Sequence, residues 1–184
     1  MTGMLVRRER ADDVAAVRAV VAAAFSPADA PGQPPIEVGL LDELRADAGW
    51  IPALSLVAMD THDQAGDPAT GGDIVGHVVC TRAYLDDRPV LGLGPLAVRP
   101  DRQRAGVGTA LTHAVLAAAE ALDEPLVALL GDPAYYRRFG LRPAAALGIA
   151  APDPRWGEYF QARALNPLPP VPGRFRYAEP FDRL

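Results

Sequence analysis

The chain has 184 residues with 23 acidic and 18 basic side chains, a formal charge of −5, and every basic residue is an arginine. The missing lysine excludes a Walker phosphate loop, a pyridoxal Schiff base and a Ser-x-x-Lys acyl enzyme, each of which depends on that amine. The net acidity argues against a nucleic-acid binder, whose affinity comes from cations neutralising phosphates, and no run approaches the roughly eighteen apolar residues of a membrane span, so residues 1–184 are expected to form one cytoplasmic domain.

Residues 4–9 read as a first strand. Val14, Val17, Val21 and Ala24 then recur at helical spacing behind Asp12 and Asp13, which suit a helix N-terminus. The Pro-, Gly- and Ala-rich stretch 26–35 predicts a loop, and 37–47 a second, short helix. Two apolar runs, 53–59 and 74–82, flank a polar Gly/Asp segment, 61–72, and predict a hairpin with a long tip. A third strand over 89–98 is stopped by Pro100, and the longest helix follows over 103–122, with Val107, Leu111, Ala114, Val115, Ala118 and Leu122 on one stripe. Residues 126–130 form a short apolar strand, so strand, helix and strand make a βαβ unit whose two strands run parallel. Asp132 caps a short helix with Pro133 in its first turn and Gly140 at its end. Two late strands, 159–165 and 174–178, flank a proline-rich connection, 166–173.

Most side chains with reactive potential lack the context that chemistry requires. Neither Ser26 nor Ser55 sits in a Gly-x-Ser-x-Gly elbow, Cys80 has no partner for a disulfide, and His62, His77 and His113 lack metal-ligand spacing. Gly92-Leu93-Gly94-Pro95-Leu96-Ala97 spells a dinucleotide fingerprint, but Pro95 and Pro100 bracket a strand where that motif needs a helix. The strand-to-helix turn that follows is different. Gly106 and Gly108 leave the backbone N–H groups at the helix start open to a pyrophosphate, with Arg102 and Arg104 alongside.

Leu96-Ala97-Val98-x-Pro100 followed by Gln103-x-x-Gly106-x-Gly108 closely resembles the acetyl-CoA motif of the GNAT superfamily of N-acetyltransferases. The second element of that resemblance is strand 126–130 leading into Asp132-Pro133-Ala134-Tyr135-Tyr136-Arg137-Arg138-Phe139-Gly140. It implies an α/β (α+β) fold, a mixed and mostly antiparallel sheet of about seven strands with one splayed parallel pair and about four helices. It further implies acetyl-CoA as co-substrate, with Leu96, Ala97 and Val98 along the pantetheine arm and Gln103, Arg104, Ala105, Gly106, Val107, Gly108 and Thr109 around the phosphates. The acceptor would be a small-molecule or peptide primary amine that attacks the thioester directly, with Tyr136 as general acid and Tyr135 mainly in the core. Homodimers are common in the family.

The chain departs from the family pattern in two places. Residues 90–98 carry no acid where many members have a glutamate, which leaves Glu37 and Glu43 of the second helix as candidate general bases, Glu37 foremost. Gly131-Asp132-Pro133 replaces a common asparagine. The missing acid keeps a second function open, a non-catalytic acyl-CoA-binding sensor or partner module. Phe25, Trp50 and Tyr84 suggest a mixed acceptor pocket, and Arg137, Arg138 and Arg142 either meet the 3′-phosphate or solvate a helix.

Overall fold

Valine- and leucine-rich segments supply most of the strands in the computed structural model, which describes residues 3–26, 34–61, 72–166 and 171–183. In chain order these are β1 (Met4–Arg8), β2 (Ser55–Asp60), β3 (Asp73–Leu85), β4 (Arg88–Val98), β5 (Leu126–Leu130), β6 (Arg142–Pro143), β7 (Ile149–Ala150), β8 (Phe160–Ala164) and β9 (Gly173–Arg176). They form a mixed sheet in the order β1-β2-β3-β4-β5-β8-β6, with β9 pairing the far end of β3 and β7 pairing β9. All pairings are antiparallel except β4 with β5 and the short β7 with β9. Nine strands thus stand where about seven are expected. The extra β6 and β7 have two residues each, too short for any sequence period to reveal.

Period-2 alternation divides the sheet residues between two layers. Val57, Met59, Val79 and Ala97 face helices α1 (Val14–Phe25) and α2 (Ile36–Ala46), and Leu56, Ala58, Val78 and Cys80 face α3 (Val107–Ala121). Val17, Val20 and Val21 carry α1 onto its face, each burial contributing about 2 kcal/mol.

The longest helix begins at Val107, the first residue of its apolar stripe and four residues after the expected bound at 103, because Gly106 adopts a left-handed φ of +88° and turns the chain before the helix can start. Its buried face is Val107, Leu111, Thr112, Val115, Leu116 and Ala119. Ala114 and Ala118 lie at the edge of that face, and Leu122, expected inside, follows the last helical residue and is 47% exposed. The second short helix behaves as its sequence suggests: Asp132 Oδ1 accepts from Ala134 N at 2.8 Å, α4 (Pro133–Tyr136) continues as a 3-10 turn, and Gly140 closes it.

The feature that positions everything functional is a gap inside the sheet. β4 and β5 pair only through Leu91 with Val127 and Gly92 with Ala128. Just beyond, β4 carries a bulge: Val78 and Cys80 of β3 oppose Leu96 and Leu93, so Gly94 and Pro95 stand against one residue of β3. The two parallel strands therefore separate towards their C-terminal ends. The loop expected at 26–35, the hairpin tip at 61–72 with His62, and the connection at 166–173 fall largely outside the described residues. No helix among the described residues is long and apolar enough to cross a membrane.

Candidate active site

At the open end of the gap, the chain leaves β4, makes a 3-10 turn at Pro100–Arg102 and enters α3. Gly106 precedes the helix without any side-chain cap, so the first N–H groups of α3 are left for an external acceptor. Gln103 Nε2 donates to the Val98 carbonyl at 3.2 Å and ties the loop to the strand end. A cavity of about 620 Å³ lies over this turn, lined by Leu96, Val98, Gln103, Arg104, Gly106, Gly108, Thr109, Tyr135 and Arg138, with Ala24 and Phe25 of α1 opposite. Of the residues expected at the phosphates and the arm, Leu96, Val98, Gln103, Arg104, Gly106, Gly108 and Thr109 line this cavity, and three do not. Ala97 is buried on the α1 face, Val107 is buried in the core under α3, and Ala105 does not line the cavity, so these three have only backbone to offer. Arg102 is directed elsewhere, pairing with Asp60 at the end of β2.

A second cavity of about 750 Å³ continues from the first, sharing Phe25 and Leu96 as the common wall. Gly94, Pro95 and Leu130 line its inner part, where β4 and β5 part, and Tyr136 projects into it from α4. Glu37, at the start of α2, lines the same cavity, as do Leu40, Trp156 and Tyr177. Glu37 and Tyr136, the two residues singled out for proton transfer, thus line one cavity although 99 positions separate them in the sequence. Glu43 is directed outward and pairs with Arg183 at 2.7 Å.

The two tyrosines divide the site between them. Tyr136 stands edge-on to Tyr135, their centroids 4.8 Å apart, and burial pushes its hydroxyl well above the usual phenol range, which keeps it protonated. Tyr135 does more than fill the core. Its hydroxyl is buried without a partner in the wall of the smaller cavity, 2.9 Å from where a side chain on Gly108 would begin, while Arg138 stacks over its ring at 4.9 Å. Gly131 lies so close to Tyr136 that a Cβ there would sit 2.3 Å from the ring. Gly131→Ala is therefore expected to cost about 1–3 kcal/mol through overpacking, read as a lowered urea midpoint. An unchanged midpoint would show that the ring is free to move aside.

Behind the site, on the α1 and α2 face, three separate segments converge on Glu9. Arg45 of α2 donates to Glu9 Oε1 at 2.6 Å, Ser55 Oγ donates to Oε2, and His77 Nε2 lies 3.2 Å from Oε2 and 3.0 Å from Ser55 Oγ. The residue types are those of a Ser-His-Glu triad, but the geometry is not. Serine and carboxylate both address the same imidazole nitrogen, Nδ1 has no partner, and Ser55 and His77 are shielded from solvent. The cluster is structural. Arg45 also meets Asp42 at 3.2 Å, and Asp42 pairs with Arg18 of α1, so the network fixes α2, and with it Glu37, against β1, β3 and α1. No motif announces it, since its members come from positions 9, 45, 55 and 77.

Of the aromatic residues expected at an acceptor pocket, only Phe25 lines the two cavities. Trp50 packs into the core beneath α1 and α2, and Tyr84 is exposed under Arg176. Cys80 is fully buried, and burial raises its thiol far above the range of a nucleophile. His113 stacks edge-on against Phe139 at 5.0 Å.

Comparison with known proteins agrees with this geometry. Residues 42–141 match the sequence model of the Acetyltransferase (GNAT) family. The Escherichia coli (strain K12) protein described as uncharacterized N-acetyltransferase YhbS is 30% identical over 184 residues, covering 98% of this chain and 99% of its own. A GNAT family acetyltransferase from Brucella melitensis, solved in complex with acetyl-CoA, superimposes with a TM-score of 0.74 at 32% identity, covering 98% and 99% of the two chains. The crystal structure of Escherichia coli YhbS in complex with CoA gives 0.83 at 27% identity, covering 100% and 94%. Matched by the family model over more than half its length, and related along nearly all of it to a named N-acetyltransferase, the chain belongs to the GNAT family of acetyltransferases.

Proposed function

We propose that the protein uses acetyl-CoA as co-substrate and acetylates a primary amine by direct attack on the thioester. The observation that carries this reading is the junction at Leu96 and Phe25 between the cavity over the α3 N-terminus and the cavity holding Tyr136 and Glu37. The first suits a diphosphate: free helix N–H groups, the Arg104 and Arg138 guanidiniums, and the orphaned Tyr135 hydroxyl all await an acceptor. The relatives solved with acetyl-CoA and CoA support the same assignment.

Between the cavities, among the described residues β4 beyond Gly92 makes no ladder pair with β5, which leaves backbone groups to orient an extended arm. The thioester supplies an activated acyl carbon. Glu37 takes the proton from the attacking amine, the new C–N bond forms as the C–S bond breaks, and Tyr136 donates its proton to the departing sulfur. Of the other carboxylates in the cavity, Asp153 and Asp182, Asp153 is held by Arg155 at 2.5 Å and below the usual carboxylate range by that pairing, which makes it a poor base.

Calorimetric titration with acetyl-CoA is expected to show about one equivalent per chain, and a panel of amines to release free CoA thiol steadily. Binding without thiol release from any amine would favour the sensor reading, and no binding up to millimolar ligand would remove both. Glu37→Gln is expected to lower kcat by about 10²-fold with acetyl-CoA affinity unchanged. A kcat within threefold of the parent would take Glu37 out of the proton path.

A further inference from the structure

The larger cavity has a charge pattern that the chemistry of acetyl transfer does not need. Arg174 and Arg176, flanking Phe175 on β9, both line it. Both are exposed, and among the described residues neither guanidinium has a carboxylate partner. Arg174 is tied to Asp86 only through its backbone amide, at 3.0 Å, and Arg176 lies over the Tyr84 ring at 5.2 Å. Arg7, Arg45, Arg82, Arg102 and Arg163 each grip an acidic side chain, whereas Arg174 and Arg176 here, like Arg104 and Arg138 at the smaller cavity, have no carboxylate partner among the described residues. The carboxylates that share the cavity are Asp153, already engaged by Arg155, Asp182 on the C-terminal turn, and Glu37. The remaining wall is largely aromatic, with Trp156, Tyr177 and Phe181 in it.

Resting on the acetyltransferase reading above, we propose that the acceptor is a primary amine that also carries an anionic group, a carboxylate or a phosphate, held by Arg174 and Arg176 across an apolar body. Arg174 and Arg176, two residues apart on one strand, offer guanidinium N–H donors to a planar or tetrahedral oxyanion, Arg176 while stacked over Tyr84, which lines the neighbouring hollow and not this cavity. The aromatic wall takes the body of the molecule, and the amine end is left for the carboxylate side of the cavity, where Glu37 stands. Nothing in the transfer itself requires an anion, so the pair acts in choosing the acceptor.

The test compares 4-(2-aminoethyl)benzoate with phenethylamine, and O-phosphotyramine with tyramine, on the wild type, Arg174→Gln, Arg176→Gln and the double variant. For each pair, kcat/KM for thiol release and Kd by calorimetry are measured. The wild type is expected to favour the anionic member at least tenfold, mainly through KM, each single variant to reduce that ratio about tenfold, and Arg174→Lys to restore part of it. Whichever anionic probe has the larger ratio identifies the oxyanion. Equal use of charged and neutral partners, or a preference untouched in the double variant, would overturn the proposal. If no amine is turned over, the acetyltransfer reading fails, and the Kd comparison decides the arginine assignment in the same way.

Discussion

Replacing Tyr136 by phenylalanine is expected to lower kcat by about 10²- to 10³-fold while acetyl-CoA affinity stays within about twofold. The substitution deletes one oxygen and nothing else. The ring keeps its contacts with Tyr135 and Phe139, and among the described residues its hydroxyl makes no hydrogen bond whose loss would disturb the fold. In the proposed mechanism that oxygen meets only the departing sulfur. Burial holds it protonated, so the loss should be of the same size across the neutral pH range. Steady-state thiol release and calorimetry separate the two quantities. A kcat within threefold of the wild type would leave the thiolate to leave unaided and remove Tyr136 from the chemistry.

Glu9→Ala should produce the largest loss of stability available from a single polar substitution. The Glu9 side chain is 6% exposed and holds Arg45, Ser55 and His77 at once. Removing it leaves a largely buried arginine with only Asp42, and breaking one side of such a pair costs about 3 kcal/mol, or roughly 6–12 °C in Tm for a chain of this size. Glu9→Gln, which keeps hydrogen-bonding atoms, should lose less. The same cluster sets the acid limb of stability. Burial alone would raise the Glu9 carboxyl, but hydrogen bonds from His77 and Ser55 and the charge of Arg45 bring it down to about 2, against 4.5 unperturbed. Burial likewise holds His77 below its ordinary 6.5, with Glu9 opposing in part. In both cases the unfolded chain binds the proton first, so stability is complete above about pH 6.5, falls on acidification as unfolded histidine protonates, and falls further from 4.5 towards 2. Urea midpoints measured from pH 7 to 3 should show this, with the lower segment flattened in Glu9→Ala. A midpoint change equivalent to less than 1 kcal/mol at pH 7 would mean the cluster is not a structural tie.

What could be read in advance was whatever the chain keeps together. The β4–α3–β5 unit, the turn at Gly106 and the cap at Asp132 are each contiguous, and their physics is local: a period, a missing Cβ, a side chain that reaches two residues on. Even there the expected bound at 103 lay four residues too early, since the turn at Gly106 stops the helix short of it, and Leu122 lies outside because the helix already ends at Ala121. That Glu37 shares a cavity with Tyr136 rested on where α2 would lie, which depends on Arg45 meeting Glu9. Arg174 and Arg176 looked like any strand arginines, since their meaning comes from β9 pairing with the outer half of β3 and turning them to the cavity. The motif position gives Tyr135 to the core and carries no sign of where its hydroxyl ends.

The parting of β4 from β5 has a consequence for the protein in a crowded solution. An unpaired strand edge is what recruits a second chain into an intermolecular sheet, and proteins ordinarily blunt such edges with charge, proline or a covering helix. Here the stretch from Leu93 to Val98, unpaired on its β5 side, lies in the middle of the sheet and not at its border, its residues buried or half-buried, with β3 paired along one side and β5 backed by β8 across the opening. The unpaired backbone is thus flanked on both sides by strands of its own sheet, so the opening does not present a free border to a strand of another molecule.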